Sequence, residues 1–328
     1  MNDIIRVSSV KIRGFLNILK SKIDHKDFSM LERKTKGSIV CPGCARLISA
    51  NARECIHCGR KNPGLWGYGH LVQKYLGNGS MVPVVTMVCV FLYALSLLLD
   101  LSALFRLEGM FRLLSPDDQV LINLGMSGLY PLADGRWWTV VTAMYLHGSV
   151  IHILFNMLWL RQLGHVMEHL FGTSRTFLIF TIAGVTGFFM SYLMGFLVVK
   201  LLTNQIGSVQ FFARIGLIVR YTIGASGAIF GLFGALVYYG RRRGGEFGKA
   251  VYIQFGKYAL ILFVLGLIFP GVDNLSHAGG FVGGFLAAQL LGYQELKVEN
   301  QTHRLLALGV AVVTVVCFIL ALLKWIFG

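Results

Sequence analysis

Gly224-Ala225-Ser226-Gly227-Ala228-Ile229-Phe230-Gly231 opens an apolar stretch that runs only to about Tyr239. That is roughly 16 residues, where about 20 are needed for a helix to cross a bilayer. The stretch therefore predicts a helix that starts below the membrane surface, with Ser226 in its first turn. A serine there has two readings. It can cap or pack, as small residues do where membrane helices meet. Or it can be a nucleophile, and then the rest of the chain must supply a base, oxyanion donors and a path for water.

Two other stretches bear on the choice. One is Asp273-Asn274-Leu275-Ser276-His277-Ala278-Gly279-Gly280-Phe281-Val282-Gly283-Gly284. The other is His147-Gly148-Ser149-Val150-Ile151-His152-Ile153-Leu154-Phe155-Asn156. With GxSGxxxG at Ser226, a histidine followed by glycines at His277, and HxxxN at His152, the chain resembles the rhomboid family of intramembrane serine proteases. The resemblance covers about residues 80–295 and rests on three ordered motifs on three separate spans.

That resemblance implies an all-α polytopic membrane protein with a six-helix core. It implies an endopeptidase working through an acyl-enzyme, with Ser226 as nucleophile and His277 as general base and acid of a dyad. His152 and Asn156 would stabilise the oxyanion beside the Ser226 N–H. His147 matches a further polar position, expected to make a loop–helix hydrogen bond, and Phe230 matches an aromatic that stacks on the base. Substrates would be proteins with a transmembrane segment, cut near its outer end, and catalysis would need no metal or cofactor. The family often carries a Trp-Arg pair in its first loop. Here Thr139 follows Trp138, with Arg136 the nearest arginine, so that role is not carried over.

The residues themselves support a membrane protein. The chain is 55% hydrophobic, and several apolar runs reach spanning length. Spans are expected at about 81–105, 149–171, 174–201, 224–240, 250–269, 273–293 and 304–327, so a seventh helix is added to the six-helix core. No cleavable signal peptide is visible. The net charge of +15 is concentrated in the N-terminal region and in Arg241-Arg242-Arg243. This reads as the positive-inside pattern rather than as a nucleic-acid surface. With the N-terminus cytoplasmic, the helices starting near His152, Ser226 and His277 all run inward. Their polar residues then lie at one depth near the outer face, and the C-terminus is outside. A bacterial plasma membrane suits this layout. Gly227 and Gly231, Gly279 and Gly283, and Gly280 and Gly284 are each four apart, and such faces let helix backbones approach closely.

The N-terminal part reads differently. Residues 1–40 form a basic leader with apolar residues at roughly helical spacing, either an amphipathic surface helix or an unstructured segment. Residues 41–63 carry Cys41-Pro42-Gly43-Cys44 and Cys55-Ile56-His57-Cys58-Gly59. Paired Cys-x2-Cys knuckles with Cys41, Cys44, Cys55 and Cys58 suit one tetrahedral, structural zinc ion, and the segment resembles a small zinc ribbon. Two disulfides are the alternative, and a protein partner for the ribbon is expected. Residues 64–80 read as a linker, 81–295 as the core, and 296–328 as a loop and the seventh helix. Cys89 and Cys317 lie in apolar runs as packing residues.

Competing readings are set against these. His165-Val166-Met167-Glu168-His169 spells a metalloprotease pattern, H-x-x-E-H, but lacks an evident third ligand. Asp273 stands one turn before His277, in the outer loop, and is read as non-catalytic. A catalytically inactive, client-binding relative is the alternative function. A receptor or transporter would not explain Ser, His and His/Asn at one depth.

Overall fold

The computed structural model describes residues 36–41, 46–68, 80–106, 109, 112–201, 218–269, 271–296 and 299–327. Two compact units cover residues 1–79 and 80–328. Most of the basic leader, Cys44 and most of the connection at 204–220 lie outside the described residues.

In the smaller unit, β1 (Ser38–Val40) pairs antiparallel with β2 (Leu47–Ser49), Ile39 opposite Ile48. Cys41 follows β1 directly and donates its N–H to the Arg46 carbonyl at 2.8 Å. A second turn repeats the device. Cys55 N–H bonds Arg60 O, and Gly59 N–H returns to Cys55 O, both at 2.9 Å. Gly59 has φ +70°, a conformation that costs glycine nothing. Cys41, Cys55 and Ile48 form the small core here. Leu65–Gly67 is a short 3-10 turn.

The larger unit is helical. Its long helices are α1 (Met81–Leu99), α5 (Val150–Phe171), α6 (Thr173–Leu201), α7 (Ser226–Arg243), α8 (Gly245–Ile268), α9 (Asn274–Leu291) and α10 (Gln301–Phe327). Between α1 and α5 lie the short α2 (Asp118–Leu124), α3 (Leu129–Ala133) and α4 (Thr139–Thr142). On length and composition α1, α6, α8 and α10 can each cross a membrane, and α4 with α5, bent by 92°, makes a fifth candidate. The chain is an integral membrane protein.

α7 and α9 do not meet that test alone, and burial explains why. Every residue from Gly227 to Val237 in α7 is buried, so its surroundings are protein rather than lipid. A helix wrapped by other helices need not be lipophilic along its whole length, and α9 accordingly carries Ser276, His277 and its glycines in buried positions.

Local chemistry sets the helix ends. Ser80 caps α1 by accepting from Val82 N–H at 3.3 Å. Glu168, from α5, reaches the same helix start and accepts from Met81 N–H at 2.6 Å and Ser80 Oγ at 2.7 Å. A carboxylate on exposed helix donors is favoured by the helix dipole. Glu168 is thus a clamp between spans, and among the described residues it is not gathered with His165 and His169 into a ligand cluster. α1 ends at Leu99, short of the expected Phe105. Asp100 there accepts from Ser102 and from Asp117 N–H and pairs with Arg106, so the apolar Leu101–Leu104 winds as a 3-10 turn instead.

Candidate active site

Two helices meet where glycine removes the barrier between them. A Cβ placed on Gly280 of α9 would strike the Gly227 carbonyl of α7, and one on Gly284 would strike Gly231. The neighbouring row, Gly279 and Gly283, lies instead against Thr186 and Gly187 of α6. So α9 uses adjacent glycine rows to approach two helices at once, backbone to backbone.

That approach brings Ser226 and His277 together. The Ser226 Oγ and His277 Nε2 are 2.9 Å apart, within the range a proton transfer requires. Phe230, one turn beyond Ser226, stacks on the His277 ring with centroids 4.2 Å apart and planes inclined by 12°. The stack fixes the imidazole plane. On the other edge of the ring, Nδ1 is buried with no partner among the described residues. Asp273 does not fill that role. It is buried, and its Oδ1 caps α9 by accepting from Ser276 N–H at 2.9 Å.

α7 begins differently from α1, α5 and α9. Ser80, Ser149 and Asp273 cap their helices with a side chain, whereas Ala225 gives α7 none. The first N–H groups of a helix have no partner within it, so Ser226 and its followers present donors at the helix mouth.

His152 and Asn156 stand on the adjacent face of α5. A Cβ on Gly224 would fall 2.5 Å from His152 Nε2 and 3.8 Å from Asn156 Nδ2, which puts both polar groups beside the turn into Ser226. Gly224 has φ +119°, so glycine is required there by conformation as well as by space. His152 Nδ1 lies 3.4 Å from Gly148 N–H. One amide hydrogen of Asn156 is committed to the His152 carbonyl, at 2.9 Å, which leaves one. His147 is fully buried beside them, and its ring packs edge-on against His152 with centroids 5.0 Å apart.

The turn before Ser226 is also fastened from outside, which the motifs did not reveal. Ser127 and Thr222 exchange both backbone hydrogen bonds, at 3.1 and 2.8 Å, and Gly224 N–H donates to Ala143 O at 2.9 Å. Thr139, in the place of the absent arginine, donates its hydroxyl to Arg136 O and touches Ser127 Oγ at 3.3 Å.

In the smaller unit the Sγ atoms of Cys41, Cys55 and Cys58 all lie within 4.8 Å of one another. Cys41 and Cys58 are 3.8 Å apart at sulfur. A disulfide needs about 2.05 Å, whereas sulfurs about 2.3 Å from one tetrahedral zinc stand about 3.8 Å apart. The donor set fits such an ion.

Comparison with known proteins agrees with the geometry. Residues 134–294 match the Rhomboid domain. Over 178 residues the chain is 30% identical to the Rhomboid protease GluP of Bacillus subtilis (strain 168), covering 54% of this chain and 31% of that protein. It is 28% identical over 214 residues to the Putative rhomboid protease YdcA of the same organism, covering 64% and 89%. It is 32% identical over 192 residues to the RHOMBOID-like protein 4 of Arabidopsis thaliana, covering 55% and 40%. The match thus spans only 31% of the length of GluP and 40% of that of the Arabidopsis protein. The chain thus carries a Rhomboid domain, residues 134–294, which encloses Ser226 and His277.

Proposed function

We propose that the protein is an intramembrane serine endopeptidase that cleaves membrane proteins at or near a transmembrane segment. One observation carries this reading: the 2.9 Å contact between Ser226 Oγ and His277 Nε2 on two glycine-packed helices. Neutral His277 takes the hydroxyl proton as Ser226 attacks the peptide carbonyl. The oxyanion that forms accepts hydrogen bonds from the Ser226 N–H, His152 Nε2–H and the second amide hydrogen of Asn156, donors already in place before the charge develops. Gly148 N–H beside Nδ1 favours the His152 tautomer with its proton on Nε2. His277 then protonates the leaving amine, and water releases the acyl group by the reverse sequence. Among the described residues no carboxylate meets His277 Nδ1, which favours a dyad with Phe230 holding the ring. A helical substrate must unwind locally, because helical hydrogen bonds shield its carbonyls.

The three arginines ending α7 favour the cytosolic side, which puts the Ser226 end toward the outer face of the membrane. Cys41, Cys44, Cys55 and Cys58 would hold a structural zinc ion, closing the shell and leaving no position for chemistry.

The test is cleavage of a model transmembrane substrate by wild type, Ser226→Ala and His277→Ala, with fluorophosphonate labelling of Ser226. Loss of cleavage in both variants, with labelling in wild type, is expected. Equal cleavage by all three would overturn the proposal.

A further inference from the structure

One cavity among the described residues lies away from the dyad. It measures about 230 Å³ and opens between the end of α10 and the first loop. Arg136, Lys324, Trp138, Trp325, Gln119 and Asn123 line it, and no carboxylate does. Its floor is firm. A Cβ on Gly125 would touch Thr142 on one side and lie 3.4 Å from Ala321 of α10 on the other.

Several observations converge on one ligand chemistry. Arg136 is held through Nε by Asp134 at 2.8 Å, which leaves its terminal nitrogens without a partner among the described residues. Lys324 makes no ion pair among the described residues. Two cations, with side-chain amides at the same opening, suit a phosphate, which accepts several charge-assisted hydrogen bonds at once. The two tryptophans favour the headgroup level of a bilayer, where one end of the ring is apolar and the other wet. The position agrees, since Thr139 in the lining touches Ser127, which pairs with Thr222 just before Ser226. The cavity therefore stands at the same end of the bundle as Ser226. At 230 Å³ it is smaller than pockets for extended ligands, about 300–1,000 Å³, but open at its edge.

We infer that this cavity binds the phosphate of an anionic glycerophospholipid, held between Arg136 and Lys324 with its glycerol end against Trp138 and Trp325. The site is independent of proteolysis, and its test reads binding alone. The full-length protein in mild detergent is titrated with dioctanoyl phosphatidylglycerol, with dioctanoylglycerol, which lacks the phosphate, and with inorganic phosphate. Tryptophan fluorescence and the thermal unfolding midpoint are followed. Phosphatidylglycerol should shift both, dioctanoylglycerol neither, and Arg136→Gln with Lys324→Gln should weaken lipid binding at least tenfold. Lys324→Arg, in an otherwise wild-type background, should retain lipid binding. Gel filtration and unfolding of the ligand-free double variant establish that it is folded. Equal binding of dioctanoylglycerol, or undiminished binding by the folded double variant, would overturn the inference. Inorganic phosphate binding as tightly as the lipid would overturn the lipid assignment and leave free phosphate as the ligand.

Discussion

Gly280→Ala adds one methyl group, and the structure says where it goes. The new Cβ would meet the Gly227 carbonyl, with the Gly227 carbonyl carbon at 2.7 Å and Cα at 3.1 Å. These are backbone atoms of a buried helix, so no side chain can swing aside. Ordinary contact begins at 3.4 Å, so α9 must retreat from α7 by at least about 0.7 Å. Gly280 lies one turn after His277, and the retreat acts directly on the 2.9 Å contact with Ser226. Opened to about 3.6 Å, that contact leaves the range of roughly 2.6–3.2 Å for proton transfer. A misplacement of about 1 Å can cost about a hundredfold, so a fall in kcat/KM of roughly ten- to a hundredfold is expected, or about 1.4–2.7 kcal/mol. Overpacking should also cost about 1–3 kcal/mol of stability. The assay is cleavage of a transmembrane substrate together with the rate of fluorophosphonate labelling, each normalised to folded protein. Gly309→Ala in α10 is the control, because a Cβ there meets nothing within 4 Å, and it should leave activity unchanged. A folded Gly280→Ala protein with wild-type activity would show that glycine contact does not set the dyad distance.

Other perturbations test other parts. Phe230→Leu keeps apolar bulk but loses the ring stacked on His277, and since aromatic pairs contribute about 0.5–1.5 kcal/mol, cleavage should slow by up to about tenfold. Glu168→Gln weakens charge-assisted bonds to Ser80 and Met81 and should cost about 1.5–3 kcal/mol, read as a lower thermal midpoint. His165→Ala should cleave like wild type; loss of activity with the fold intact would instead favour the H-x-x-E-H reading. Cys55→Ser should abolish zinc in the purified protein by elemental analysis while fluorophosphonate labelling of Ser226 persists. Unchanged metal content would remove the zinc assignment.

Much of this site was legible because its residues are unusual where they stand. Ser226, His277, His152 and Asn156 stood out through three motifs that resemble the rhomboid pattern, and His152 and Asn156 also because polar side chains on one face of an apolar span are costly unless used. Phe230 followed from helical spacing, and the structure stacks it on His277. The glycine faces were visible too, but not their partners, since spacing alone cannot say that Gly280 meets α7 while Gly279 meets α6. Other features depended on contacts with no local signal. The bond from Asn156 to the His152 carbonyl is one rotamer among several. The Ser127–Thr222 bridge joins segments far apart in the chain, with neither patterned as a strand. The end of α1 was misplaced because Leu101–Leu104 continue the apolar run, whereas the backbone obeys the polar contacts of Asp100.

The paired glycine rows of α9 bear on how such a protein could diversify. With backbone against backbone on two sides, almost any substitution along that seam is a wedge, so the seam offers inheritance little room for experiment. α8 is the opposite case: Tyr252, Leu260, Ile261 and Leu267 are all exposed along it. Substitution has its freest ground on that exposed helix, where a changed side chain displaces no packed backbone.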